Sequence, residues 1–143
     1  MIATTDGRSI EIGTELPAQV RFTTNKQLVQ YAGAANDYSG IHYDRDYAEE
    51  RGFSNVIVHG LLKAAILSDL ACRWGGRGSW LIDYSARYGG VDLVGAPITC
   101  RGRIVDIDTE NRRVNLELWT ENVDGVRTTT ATGLLQLANE ETR

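Results

Sequence analysis

The chain holds only two histidines, and the first, His42, follows Asp37 by five residues in the segment Ala35-Asn36-Asp37-Tyr38-Ser39-Gly40-Ile41-His42. An imidazole titrates near neutral pH, and a nearby carboxylate is tuned by burial and by its neighbour, so the pair can take and return a proton. The same two residues also have an ordinary use. Asp37 can cap the following turn and His42 can hydrogen-bond within the loop.

The second histidine stands at the pair His59-Gly60, directly ahead of an apolar run. A glycine there lets a ligand approach the backbone, and the first amides of a helix point outward at the positive end of its dipole. An oxyanion fits such a place. Equally, His59-Gly60 can do no more than turn an extended segment into a helix. Ser68 lies eight residues beyond Gly60 and shares a broad face with it; on its own, such a serine bonds back to the preceding turn. No Gly-x-Ser-x-Gly elbow is present, and neither Cys72 nor Cys100 has a histidine near it in sequence. Two histidines 17 apart without cysteine or acidic ligands at a metal spacing give no zinc motif, so no metal is expected. Gly75-Gly76-Arg77-Gly78 lacks the Gly-Lys-Ser/Thr ending of a phosphate loop and follows a helical pattern.

These groups must be positioned by the elements around them. Residues 9–12 and 18–22 alternate apolar and polar side chains as half-buried strands do. Thr24-Asn25-Lys26-Gln27 has capping-box spacing, and Leu28, Tyr31, Ala32 and Ala35 continue it as a helix over 25–35. A loop covers 36–41, a short helix starts near Asp44 and stops before Gly52, and 53–58 is extended. Residues 59–74 form the strongest helix, apolar around most of its circumference and therefore buried. Residues 80–88, 98–107, 113–120 and 127–137 read as strands, with Asp124-Gly125 turning the last hairpin. Helices followed by strands give an α+β domain.

With 143 residues the chain suits one domain with one core. Its net charge of −4 gives no general attraction for phosphate backbones, so nucleic acid is not an expected partner. The first residues show no basic segment followed by an apolar run, and the apolar stretch 56–71 is broken by His59, Lys63, Ser68 and Asp69. Neither a secretory signal nor a membrane span is expected, and two unpaired thiols fit a reducing, cytoplasmic setting.

Together the residues from Tyr31 to Ser68 resemble the signature of the MaoC-like, R-specific enoyl-thioester hydratases (hydratase 2). That pattern reads roughly Tyr, then Ser-Gly-Asp-x-Asn-Pro-Ile/Leu-His-x-Asp, an alanine, a phenylalanine and His-Gly-Met/Leu-Leu. Tyr31, Asp37, Ile41, His42, Asp44, Ala48, Phe53, His59, Gly60, Leu61, Leu62 and Ser68 fall in register with it. The resemblance implies one hot-dog domain over residues 1–143, a curved antiparallel sheet wrapped around one long buried helix. It implies interconversion of trans-2-enoyl and (3R)-3-hydroxyacyl thioesters of coenzyme A or acyl carrier protein, with no cofactor beyond that carrier. Asp37 and His42 would be the acid–base pair and the Gly60 amide the oxyanion donor. Ser68 and Asn36 would stand behind them, Ser68 orienting the Asp37 loop. Two departures stand beside the dyad. Asn36 replaces the family's glycine, and Ser39-Gly40 replaces its Asn-Pro, which predicts a less rigid loop.

The resemblance further implies a homodimer or higher oligomer with sites at the subunit junction, or a heteromer in which this chain is the catalytic member. Two other readings stay open: a hot-dog thioesterase using Asp69 to activate water, and an inactive acyl-binding scaffold. Lys63, Arg73, Arg77, Arg87, Arg101 and Arg103 are the candidates for contact with a carrier phosphate or an acidic carrier.

Overall fold

Alternating inward residues in the C-terminal half build a sheet against which one helix closes. The computed structural model describes residues 2–3 and 7–139. A small antiparallel pair, β1 (Ile2–Ala3) and β2 (Ser9–Ile10), precedes β3 (Glu15–Arg21), α1 (Asn25–Ala35), a 3-10 turn (Gly40–His42), α2 (Arg45–Glu50) and α3 (Gly60–Gly75). Four strands complete the chain: β4 (Trp80–Tyr88), β5 (Ile98–Asp108), β6 (Arg113–Glu121) and β7 (Arg127–Gln136). The main sheet is antiparallel in the order β3-β5-β6-β7-β4, so β3 and β4 are its edges.

Ile98, Cys100 and Ile104 of β5, Val114, Leu116 and Leu118 of β6, and Ala131 and Leu135 of β7 point to one face. Leu62, Leu67, Leu70, Ala71 and Trp74 of α3 pack into the same core. This is the α+β arrangement expected, with one difference. Only one stripe of α3 is covered; Leu61 on the opposite side remains 54% exposed and Ala65 is also open. A single sheet reaches about half of a helix's circumference, so the rest stays bare in the single chain.

Other differences are local. The predicted strand at 18–22 runs instead over Glu15–Arg21, and Pro17 is accommodated because β3 is an edge and its register shifts between Leu16 and Gln19. Residues 53–58 form no full strand; Ile57 alone bridges to Leu93. α1 covers the predicted span, with Thr24 Oγ1 accepting from the Gln27 amide at 3.1 Å. The turn at Asp124-Gly125 closes the last hairpin through Asn122 and Val126. Both cysteines are free; burial pushes the Cys100 thiol up to about 11. Among the described residues no helix is long and apolar enough to cross a membrane.

Candidate active site

Asp37 sits just past the end of α1. The helix stops because Asn36 adopts a left-handed backbone, φ 53°, while its amide returns to the Ala32 and Gly33 carbonyls. Glycine and asparagine are the residues that take this conformation at least cost, which explains why Asn36 can stand where a glycine is expected. The Asn36 side chain is exposed, with no hydrogen bond among the described residues. Its contribution is therefore a backbone bend and not a polar side chain placed behind the dyad.

The loop that follows is closed by hydrogen bonds around Ser39-Gly40. Asp37 N donates to Ala32 O, and the amides of His42, Tyr43 and Asp44 close onto the carbonyls of Ser39 and Gly40. The Tyr43 hydroxyl donates to Tyr38 O at 2.8 Å. A Cβ on Gly40 would stand 2.7 Å from the Tyr47 ring, so glycine is required for that ring to seal the turn. The Tyr47 ring and these hydrogen bonds enclose the turn at Gly40.

His42 is 7% exposed, and its Nδ1 lies 2.8 Å from Ile57 O. A carbonyl can only accept, so Nδ1 carries the proton, and in the neutral ring Nε2 is the acceptor. Nε2 lies 3.6 Å from Asp37 Oδ2, whose side chain is 38% exposed. The separation is too long for a direct hydrogen bond and allows one water to touch both atoms. Asp37 Oδ1 also accepts weakly from Ser39 N at 3.4 Å, so the ordinary turn-capping role coexists with the dyad geometry.

His59, which the sequence left as a turn residue, forms the floor of the site. It is 1% exposed and stacks on His42 with ring centroids 3.8 Å apart and planes 20° from parallel. Tyr31 meets it edge-on at 4.9 Å. Neither His59 ring nitrogen has a hydrogen-bond partner among the described residues. Burial, and then the adjacent His42, lower its pKa from 6.5, against a smaller opposing pull from Asp37. Donor atoms of Asp37, His42 and His59 thus lie within 4.8 Å of one another, which no sequence spacing announced. Near-parallel stacked rings do not aim their in-plane lone pairs at one ion unless one imidazole rotates.

Beside this stack begins α3. His59 is its N-cap and supplies no side-chain cap, and the first intrahelical bond is Lys63 N to His59 O. The amides of Gly60, Leu61 and Leu62 therefore lack helical partners. A Cβ on Gly60 would lie 2.9 Å from the Tyr88 ring, so Tyr88 of β4 walls the glycine on one side.

Several candidates fall elsewhere. Ser68 Oγ donates to Ala65 O at 2.8 Å, one turn back on its own helix, and makes no bond to the Asp37 loop. The hydroxyl satisfies the local carbonyl because it is the nearest acceptor, so the orienting role implied for Ser68 is not what its geometry provides. Asp69 is held by Arg73 at 2.8 Å and Arg21 at 3.1 Å, which leaves it poorly suited as a base. Lys63 is 2% exposed and bound to Asp92 at 2.9 Å, so it is no phosphate contact. Arg101 and Arg103 pair with Glu121 and Glu117 on the sheet, while Arg77 and Arg87 are exposed.

A family model described as the MaoC like domain matches residues 8–132. No curated protein matches the chain. Among solved structures, the (R)-hydratase from A. caviae involved in PHA biosynthesis is 21% identical, with a TM-score of 0.85, covering 92% of this chain and 100% of that one. The R-hydratase PhaJ1 from Pseudomonas aeruginosa is 19% identical, with a TM-score of 0.85, covering 96% and 86%. The ChsH1-ChsH2 complex from Mycobacterium tuberculosis is 21% identical, with a TM-score of 0.82, covering 91% and 100%. At these identities the structures establish the fold. The family match spans most of the chain, and the chain belongs to the MaoC-like domain family, built on the hot-dog fold.

Proposed function

We propose that the protein is a hydro-lyase that interconverts trans-2-enoyl and (3R)-3-hydroxyacyl thioesters. One observation carries the reading: a half-exposed carboxylate and a buried imidazole face each other at 3.6 Å beside an uncapped helix N-terminus. In the hydration direction, water bridging Asp37 Oδ2 and His42 Nε2 loses a proton to the pair as its oxygen bonds to C3. The C2=C3 electrons move toward the thioester oxygen, where the Gly60 amide meets the growing charge. C2 then takes a proton from the pair, the carbonyl reforms, and the site returns to its starting protonation. Proteins of similar fold described as R-hydratases add support, as does the family match.

The carrier is coenzyme A or acyl carrier protein, and no further cofactor enters this chemistry. The assembly is a homodimer, with a heteromer as the alternative, since complexes such as ChsH1-ChsH2 and HadBC share this fold. The bare edge of β4, with Trp80, Ile82 and Tyr88 exposed, is consistent with a partner chain. Purified protein offered crotonyl-CoA and longer or bulkier enoyl-CoAs should consume the conjugated double bond without releasing thiol. Thiol release without hydration would replace the proposal with thioesterase activity, and binding without turnover would leave an acyl-binding scaffold.

A further inference from the structure

Lys63 and Asp92 are the most deeply buried oppositely charged pair among the described residues, with side chains each 2% exposed and Nζ 2.9 Å from Oδ2. Lys63 Nζ donates a second bond to Gly90 O at 2.9 Å, and Thr128 Oγ1 reaches the same Asp92 oxygen at 2.6 Å. A carboxylate only accepts, so the single Thr128 hydroxyl proton is committed to Asp92. The 2.8 Å contact between Thr120 and Thr128 is then donated by Thr120. Every proton in the chain Thr120, Thr128, Asp92, Lys63, Gly90 has one direction.

This network is joined to the site by backbone. Asp92 O accepts from Val58 N at 2.9 Å and Val94 N donates to Val56 O at 3.1 Å, along one edge of segment 56–58. The other edge anchors the histidine of the pair, because Ile57 N donates to Ile41 O at 2.9 Å and Ile57 O accepts from His42 Nδ1 at 2.8 Å. Lys63 itself is in the first turn of α3, and its amide closes onto His59 O. Gly89 and Gly90, bonded to Thr128 O, follow directly on Tyr88, the wall against Gly60. Burying an ion pair seldom stabilises a fold more than apolar residues of the same volume do. What this one does provide is a fixed, directional brace beneath a segment that anchors the His42 ring and leads into Gly60.

We infer that Lys63, Asp92 and Thr128 are positioning residues that hold segment 56–60, and through it the His42 imidazole and the Gly60 amide, in reacting register. The inference rests on the hydratase reading for its kinetic consequence, while its geometric content stands apart. The test uses the full chain carrying Lys63→Met/Asp92→Leu together, Thr128→Val, and Thr128→Ser. In enoyl-CoA hydration, the double variant and Thr128→Val lose on the order of 10–100-fold in kcat while KM stays within about threefold. Thr128→Ser, which keeps the hydroxyl, recovers to within about twofold. In parallel, NMR of labelled protein shows the Gly60 amide and His42 ring-nitrogen signals displaced in the two damaging variants and restored in Thr128→Ser. Folded variants with wild-type kcat overturn the inference, whether or not those signals move. If the double variant does not fold, the near-isosteric Thr128→Val decides by the same readouts. If the wild-type chain hydrates no enoyl thioester, the proposed function fails. The NMR signals alone then decide the positioning claim, and unmoved signals sink it.

Discussion

Two pairings of a carboxylate with a basic side chain lie on either side of one short segment of this chain, and they are built oppositely. On one edge of residues 56–58, Asp92 and Lys63 are sealed from solvent at 2.9 Å with a threonine hydroxyl added. On the other, Asp37 and His42 stand 3.6 Å apart with the carboxylate 38% exposed. The first couple is closed, and its protons have nowhere to go. The second leaves room between its partners for a reacting molecule, which is what acid–base chemistry needs and a structural ion pair avoids. Spacing and access to water thus separate a pair suited to bracing the fold from one suited to acid–base chemistry.

Disabling each pair in turn separates their roles. Asp37→Asn and His42→Ala should each cut hydration by on the order of 10²–10⁴-fold, measured as loss of enoyl absorbance, with far-UV circular dichroism unchanged. Lys63→Met alone should destabilise the fold in addition to lowering kcat, because Asp92 is left buried without its cation. Urea denaturation should show a loss of about 3–5 kcal/mol. Gly60→Ala pushes a methyl into the Tyr88 ring, 2.9 Å away, and shifts the oxyanion amide. A fall of roughly tenfold in kcat is expected, milder than the 10²–10³-fold loss of a whole donor. Adding Tyr88→Ala should recover part of it.

Smaller effects are expected at His59 and Ser68. His59 has its pKa lowered by burial and by His42, with Asp37 opposing and Tyr31 at its edge. The unfolded chain therefore takes up that proton first as pH falls through 6.5, and stability drops there until the folded ring also protonates. His59→Gln should flatten that part of a urea-midpoint profile measured from about pH 8 to about pH 5. Ser68→Ala should change hydration by less than about twofold, because its hydroxyl serves only Ala65 O.

The dyad was legible because Asp37 and His42 lie in one short loop and in register with a longer pattern. α1 was legible because its cap and its apolar spacing agree. The closure of the loop was not, since it comes from Tyr47 packing on Gly40, a contact that no local rule announces. Nor was the brace: Lys63 and Asp92 are 29 residues apart, and a lysine in a helix ordinarily reads as a surface charge. The stacking of His59 on His42 escaped for the same reason, because it depends on segment 56–60 being pinned from both sides. Ser68 shows the reverse case, where register with a family pattern outran what the side chain touches.

In the proposed reaction the open pair adds water across an enoyl thioester. Turnover of an enoyl-CoA in heavy-oxygen water, followed by mass spectrometry of the product, tests it most directly. The product should carry one heavy oxygen at C3 of a 3-hydroxyacyl-CoA with the thioester intact, and none above background with Asp37→Asn or His42→Ala. Label appearing in a free carboxylic acid, or at C3 undiminished in both variants, would contradict it.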